Sequence, residues 1–348
     1  MAVSSRGTAA EPALNIEMPP VLMKMIRNEG VWDELELTDE QQRQLESALR
    51  PLDARWWPSR IEPMAVRRTV AAQVTQDLKQ KLRTLLSDVQ WQRLLQLERQ
   101  ALGTRMVFMP DVAQALQLTD TQLKQFPVIA SETDALVQKV EQRTLANEDQ
   151  QTLREELLAA QAKERTETVG SLTESQQQMI GKLVGETFDF SRVKRTHAGA
   201  PSLEMANSRW LQPLPQGSLE ALRGNVVAVH FYAFQCINCK RNLPHYTAWH
   251  QDYADQGLVV LGIQTPETSA ERDPQQVAAA VKAAGIKYPV LMDGASENWK
   301  AWGNTMWPTV YLIDKQGYVR TWWQGELNWQ GNAGEAQFRK HIETLLAE

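Results

Sequence analysis

Cysteine is almost absent from this chain: Cys236 and Cys239 are its two thiols in 348 residues. So few exclude a disulfide framework as the source of stability at this length. Long apolar runs are missing as well. No stretch approaches the roughly 18 residues that a membrane helix needs, so no membrane segment is expected in this sequence. Basic tracts are absent, and with a net charge of −5 nothing suggests a nucleic-acid partner. The opening "MAVSSRGTAAEPALN" lacks the apolar stretch of a secretory signal. It reads as a disordered tail over residues 1–14, of the kind that begins a mature chain after such a signal is removed, and an ordinary cytosolic tail would look the same.

Glycine is sparse before Gly170, and the residues up to about 190 read as helices throughout. Val74, Leu78, Leu82 and Leu85 trace one face of a long helix, and Met179, Ile180, Leu183 and Val184 trace another. A pentapeptide recurs in this half: "LTDEQ" from Leu37, "LSDVQ" from Leu86, "LTDTQ" from Leu118 and "LTESQ" from Leu172. Each places Gln three residues after Ser or Thr, the arrangement of a capping box, so four helix starts are expected at Thr38, Ser87, Thr119 and Thr173. Acidic residues just inside, such as Asp39 and Glu174, suit the positive helix end. The first and third copies are 81 residues apart and the second and fourth 86, the spacing of a duplicated unit. The pentapeptides resemble the L-T-x-x-Q motifs of small helical periplasmic proteins of the CpxP and Spy type. That resemblance implies a chaperone or stress-sensing role and an extracytoplasmic location; helix capping alone also accounts for the motif.

The pattern breaks between Gly185 and Gly224 in a Pro-, Gly- and Ser-rich stretch. Three segments follow from this: the tail, an all-α domain over 15–190, and an α/β domain over 191–348. In the last, "NVVAVHFYAF", "GLVVLGI", "TVYLID" and "YVRTWWQ" read as strands. Residues 237–254, "DPQQVAAAVKAAG" and "EAQFRKHIETLLAE" read as helices.

Both thiols fall in "FYAFQCINCKRNLP", where a strand passes into a helix. Unpaired amides and the helix dipole favour an anion there, so Cys236 is the candidate nucleophile. Cys239, about one turn on, is the candidate resolving thiol and should be the more buried, with the higher pKa. Zinc would need four ligands, and His245 and His250 fit one helix face poorly, so no metal is expected. A structural disulfide closing so short a loop would add little. Peroxide reduction in the peroxiredoxin manner would want Pro and Thr where Val229 and Ala233 stand. C-x-x-C in a βαβ context is the redox reading.

This segment resembles the active site of thioredoxin-fold oxidoreductases, and with "VVLGIQTPE", "NWKAWGNTMWPTVYLID" and "GYVR" it is most similar to redoxin domains of the TlpA, ResA and DipZ type, over roughly residues 196–348. The resemblance implies a thioredoxin fold with a TlpA-like insertion, a helix kink at Pro244 and a cis-proline at Pro308. It also implies a substrate groove lined by Trp307, Pro308 and Thr309. Phe234, Gln235, Ile237 and Asn238 surround the dithiol in sequence. His230 holds the position of the buried acid of many thioredoxins; in an apolar strand it reads first as a core residue and second as a proton relay. Glu267 comes near Cys236 if the strands ending at Phe234 and Ile263 are parallel neighbours. Trp299 and Trp302 are expected to pack under the proline loop.

The expected function is thiol–disulfide exchange on disulfide-containing protein substrates, with no cofactor beyond the Cys236–Cys239 pair and with a redox partner that resets it. The alternative is a client-binding scaffold whose helical half carries the main function.

Overall fold

Each of the four Ser or Thr residues that the pentapeptides place at a helix start has its hydroxyl bonded to the amide three residues on. The computed structural model describes residues 16, 18–145 and 149–348; the tail expected over 1–14 lies outside them. Thr38, Ser87 and Thr173 form complete capping boxes with Gln41, Gln90 and Gln176. Thr119 and Gln122 make the same two bonds, at 3.0 and 3.3 Å. The glutamines also reach beyond their own helices. Gln41 donates to the Leu85 carbonyl and Gln122 to that of Ser171, in each case the residue just ahead of another pentapeptide.

The helical half begins with α1 (Val21–Met25), α2 (Glu29–Glu34), α3 (Asp39–Trp56) and α4 (Met64–Leu85). It continues with α5 (Asp88–Leu102), α6 (Pro110–Ala115), α7 (Asp120–Leu145), α8 (Gln150–Gly170) and α9 (Glu174–Val184). These do not form one body. Residues 86–190 make one compact unit, whereas Leu22–Leu85 cluster with Ser191–Glu348 in a second. Helical periodicity over 15–190 cannot reveal that division, because it registers an apolar face and not what covers it.

In the first unit, Leu102, Met106, Val112, Leu116, Phe126 and Leu172 share a core. Arg105 is buried there, bidentate to Glu164 at 2.9 Å and paired with Asp134 at 2.7 Å. Gln122 and Gln176 exchange hydrogen bonds of 2.8 and 3.0 Å, so two pentapeptides meet face to face.

The second unit is built on a six-stranded sheet: β1 (Arg209–Gln212), β2 (Val226–Tyr232), β3 (Leu258–Gln264), β4 (Val290–Met292), β5 (Thr309–Ile313) and β6 (Val319–Gln324). Its order is β1-β4-β3-β2-β5-β6, with β2, β3 and β4 parallel and the others antiparallel to their neighbours. The sequence patterns give four of these strands and pass over β1 and β4, which are too short to show alternation. Between the strands run α10 (Ile237–Tyr253), α11 (Pro274–Ala283) and α12 (Glu297–Ala301); α13 (Gly334–Ala347) closes the chain.

Strand β2 is buried along its whole length because both sheet faces are covered. Val226, Ala228 and Tyr232 face a core completed by Trp249 of α10, Val277 of α11 and Phe338 of α13. Val227, Val229 and Phe231 face the opposite core, which contains Trp302 and, from the segment after α3, Trp57. Trp57 is what places α3 with the sheet. Its indole Nε1 donates to the Trp302 carbonyl at 3.1 Å, and Arg60 donates to the carbonyls of Trp302 and Gly303 and to the Tyr311 hydroxyl. A buried bidentate pair, Arg27 with Asp53, adds a second joint: Asp53 also accepts from Gly199 N and Arg27 donates to the His197 carbonyl.

Candidate active site

Strand β2 stops at Tyr232, and Ala233, Phe234 and Gln235 turn the chain into α10. The strand therefore ends four residues before Cys236, two short of the Phe234 expected from the apolar run. Cys236 is the N-cap of α10, with extended φ/ψ of −60° and 120°, and its Sγ accepts the Cys239 amide at 3.3 Å. Both cysteines are free thiols; Cys236 is half-buried and Cys239 only 1% exposed.

That placement separates their acidities. Hydrogen bonding from the Cys239 thiol, helped by the amides of Cys239 and Asn238, pulls Cys236 from 9.0 down to about 7, against burial and the charge of Glu267. Burial pushes Cys239 far up, and its bond to Cys236 and the charge of Glu267 act in the same direction. At neutral pH one sulfur is therefore substantially ionised beside another that keeps its proton.

The register of the sheet brings the remaining candidates to this end. Thr309 pairs with Phe231 across β5 and β2, so Pro308 stands level with Tyr232, the last residue of the strand that leads to Cys236. The Trp307–Pro308 peptide is cis. Phe234, Cys236 and Trp307 pack on the same core that holds Cys239. Thr309 is buried and donates its hydroxyl to the Met306 carbonyl at 2.7 Å. Trp299 stacks on Trp307 with centroids 4.0 Å apart, whereas Trp302 lies deeper, against Tyr311 and Phe231.

Residues 199–322 match the AhpC/TSA family. The C-terminal half carries an AhpC/TSA-type thioredoxin-like domain. Over 102 residues the chain is 45% identical to Protein DipZ of Mycobacterium bovis, a match covering 29% of this chain and 15% of that protein. It is 26% identical over 149 residues to the thiol-disulfide oxidoreductase YkuV of Bacillus subtilis, covering 39% of this chain and 96% of the relative. Among solved structures, a thiol:disulfide interchange protein of the thioredoxin family from Chlorobium tepidum is 26% identical, covers 42% of this chain and 95% of its own, and has a TM-score of 0.34. The match to DipZ thus spans a small part of that protein's length.

Within the thioredoxin-like domain, His230 is fully buried, with Nε2 3.0 Å from the Tyr288 hydroxyl and its ring stacked 4.2 Å from that of Tyr246. Neither nitrogen bonds a cysteine, and among the described residues Nδ1 has no hydrogen-bond partner. Burial depresses its pKa to about 3, so it stays neutral in ordinary buffers. Pro244 sits inside α10, where it leaves the Lys240 carbonyl without its usual intrahelical donor. Ile237 is 59% exposed at the mouth of the site; Gln235 is also exposed, and Asn238 is half-buried. Glu267 follows β3, whose Gln264 pairs with Tyr232, and its charge reaches both sulfurs.

Two residues escape the sequence reading. Asn242, 1% exposed, joins α10 to the loop after β6 through the Gly325 carbonyl and the Leu327 amide. Glu271, fully buried, accepts amides from both loops beside the dithiol. A lone Asn in a helix or Glu in a polar loop carries no sequence signal for either role. Among the described residues no cluster of His, Cys, Asp and Glu could hold a metal, and no helix is long and apolar enough to cross a membrane.

Proposed function

We propose that this protein is a thiol–disulfide oxidoreductase acting on protein disulfides in an extracytoplasmic setting. One observation carries the reading: an accessible sulfur at a helix start, drawn down to about 7, beside a buried one held protonated. The Cys236 thiolate attacks one sulfur of a substrate disulfide. That S–S bond breaks, a mixed disulfide forms, and the second substrate sulfur leaves as a thiolate. Cys239 then attacks Cys236 Sγ, its proton passing to a departing substrate sulfur. The substrate ends as a dithiol and Cys236–Cys239 as a disulfide, two electrons having moved outward. A partner dithiol restores the pair, and the reverse sequence would oxidise a substrate.

Trp307 and Pro308 would line the path of the substrate chain, with Ile237 at its rim. The scarcity of other thiols supports both the chemistry and the location, since a third cysteine would invite scrambling in an oxidising compartment.

Cys239→Ser should accumulate covalent adducts through Cys236 that a reductant releases, and the unaltered chain should reduce a model protein disulfide. A folded Cys239→Ser protein that captures nothing, together with an unaltered chain that reduces nothing, refutes the proposal.

A further inference from the structure

Glu271 lies in a short 3-10 turn, Ala270–Arg272, and is 0% exposed. Among the described residues no cation bridges it. Its carboxylate is held by backbone amides alone: Oε1 accepts from Gln235 N at 2.7 Å, and Oε2 accepts from Glu267 N at 2.7 Å and Thr268 N at 3.0 Å. A carboxylate taken out of water persists only where such charge-assisted bonds replace its hydration.

These donors come from two separate loops. Gln235 ends the turn that delivers Cys236, while Glu267 and Thr268 belong to the loop after β3. Two lesser bonds reinforce the joint: Thr268 Oγ1 donates to Gln235 Oε1 at 3.0 Å, and Gln264 Nε2 donates to the Glu271 carbonyl at 3.3 Å. The amide of Gln235 is one residue from the sulfur that must meet the first amides of α10. Moving it changes how that sulfur is seated. The same carboxylate also fixes where the Glu267 backbone starts, and hence how near its charge stands to the pair.

We propose that Glu271 is a positioning residue for the dithiol, its carboxylate locking the turn that presents Cys236 to the loop that carries Glu267. Its part in turnover rests on the oxidoreductase reading above; the coupling itself does not. The ionisable groups that act on one another around the two sulfurs are Glu267, Glu271, Tyr232 and Tyr246. Of these, Glu267 opposes ionisation of both thiols.

The test is a double-mutant cycle on the full reduced chain with Glu267→Gln, Glu271→Gln and both. The readout is the pH midpoint of Cys236 alkylation by iodoacetamide, with the glutathione equilibrium as a second measure. Glu267→Gln alone should raise the Cys236 acidity constant about three- to tenfold and make the pair about 15–30 mV more oxidising. In the Glu271→Gln background that gain should shrink to less than about twofold, because the loop is no longer held against the turn. Glu271→Asp keeps the charge but shortens the reach. It should lose the coupling as Glu271→Gln does, and it replaces that variant if the amide fails to fold.

A Glu267→Gln shift of equal size in both backgrounds, or no shift at all, overturns the proposal. Because alkylation needs no substrate protein, loss of coupling with successful adduct trapping would sink this inference alone. Coupling with neither adduct trapping nor reduction of a model disulfide would sink the oxidoreductase reading alone.

Discussion

Replacing Trp57 with alanine asks whether the chain before residue 86 is a working part of the thioredoxin-like core. Trp57 is 4% exposed. Its ring meets those of Tyr311 and Trp322 edge-on, with centroids 5.9 and 5.4 Å away, and the Arg60 guanidinium lies 4.0 Å over it. Burying a side chain of this size removes roughly 200 Å² from water, about 5 kcal/mol at 25 cal/mol/Å², as an upper figure. Truncations of this kind cost about 3–5 kcal/mol, and the lost ring contacts and hydrogen bond place Trp57 toward the top of that range. The effect should also spread along the chain. Trp57 and Arg60 hold the Trp302 and Gly303 carbonyls, a few residues before Trp307 and Pro308. The assay is urea unfolding of the full chain followed by alkylation of Cys239, which is buried in the folded protein. The midpoint of Cys239 exposure should fall by about 1 M or more. A loss below about 1 kcal/mol, with Cys239 protection unchanged, would show that Leu22–Leu85 contribute nothing to this core, and the reasoning from Trp57 would fail.

Alkylation of the unaltered chain should titrate with a midpoint near 7, the Cys236 value. The thiolate is the reactive form, so below that midpoint the rate falls about tenfold per pH unit, and above pH 8 it levels off. A midpoint at that of free cysteine, about 8.5, would remove the role given to the α10 amides. Thr173→Ala, which deletes one cap bond, should cost about 1 kcal/mol; Gln176→Ala, which also removes both bonds to Gln122 and the donor to the Leu116 carbonyl, should cost about 2–3 kcal/mol. Calorimetry or hydrogen exchange over residues 86–190 measures both. Equal costs for the two would show that Gln176 acts only as a cap.

The parts of this protein that could be read from its sequence are those whose causes lie within a few residues. The cap bonds of the four pentapeptides, the junction at Cys236 and the apolar runs of β2, β3 and β5 are of this kind. Hydroxyl-to-amide geometry, the helix dipole and a continuous apolar run act over one turn or one strand, so residue order alone determined them. Tertiary structure decided the rest. Trp57 and Trp302 stand 245 residues apart, Arg27 and the His197 carbonyl 170, and Gln235 and Glu271 36. No local pattern says which apolar face covers which, nor which buried carboxylate finds amides to replace its water. The assignment of α3 to the sheet and the placing of Glu271 beside the dithiol depended on the folded packing, where burial makes each such contact either satisfied or costly.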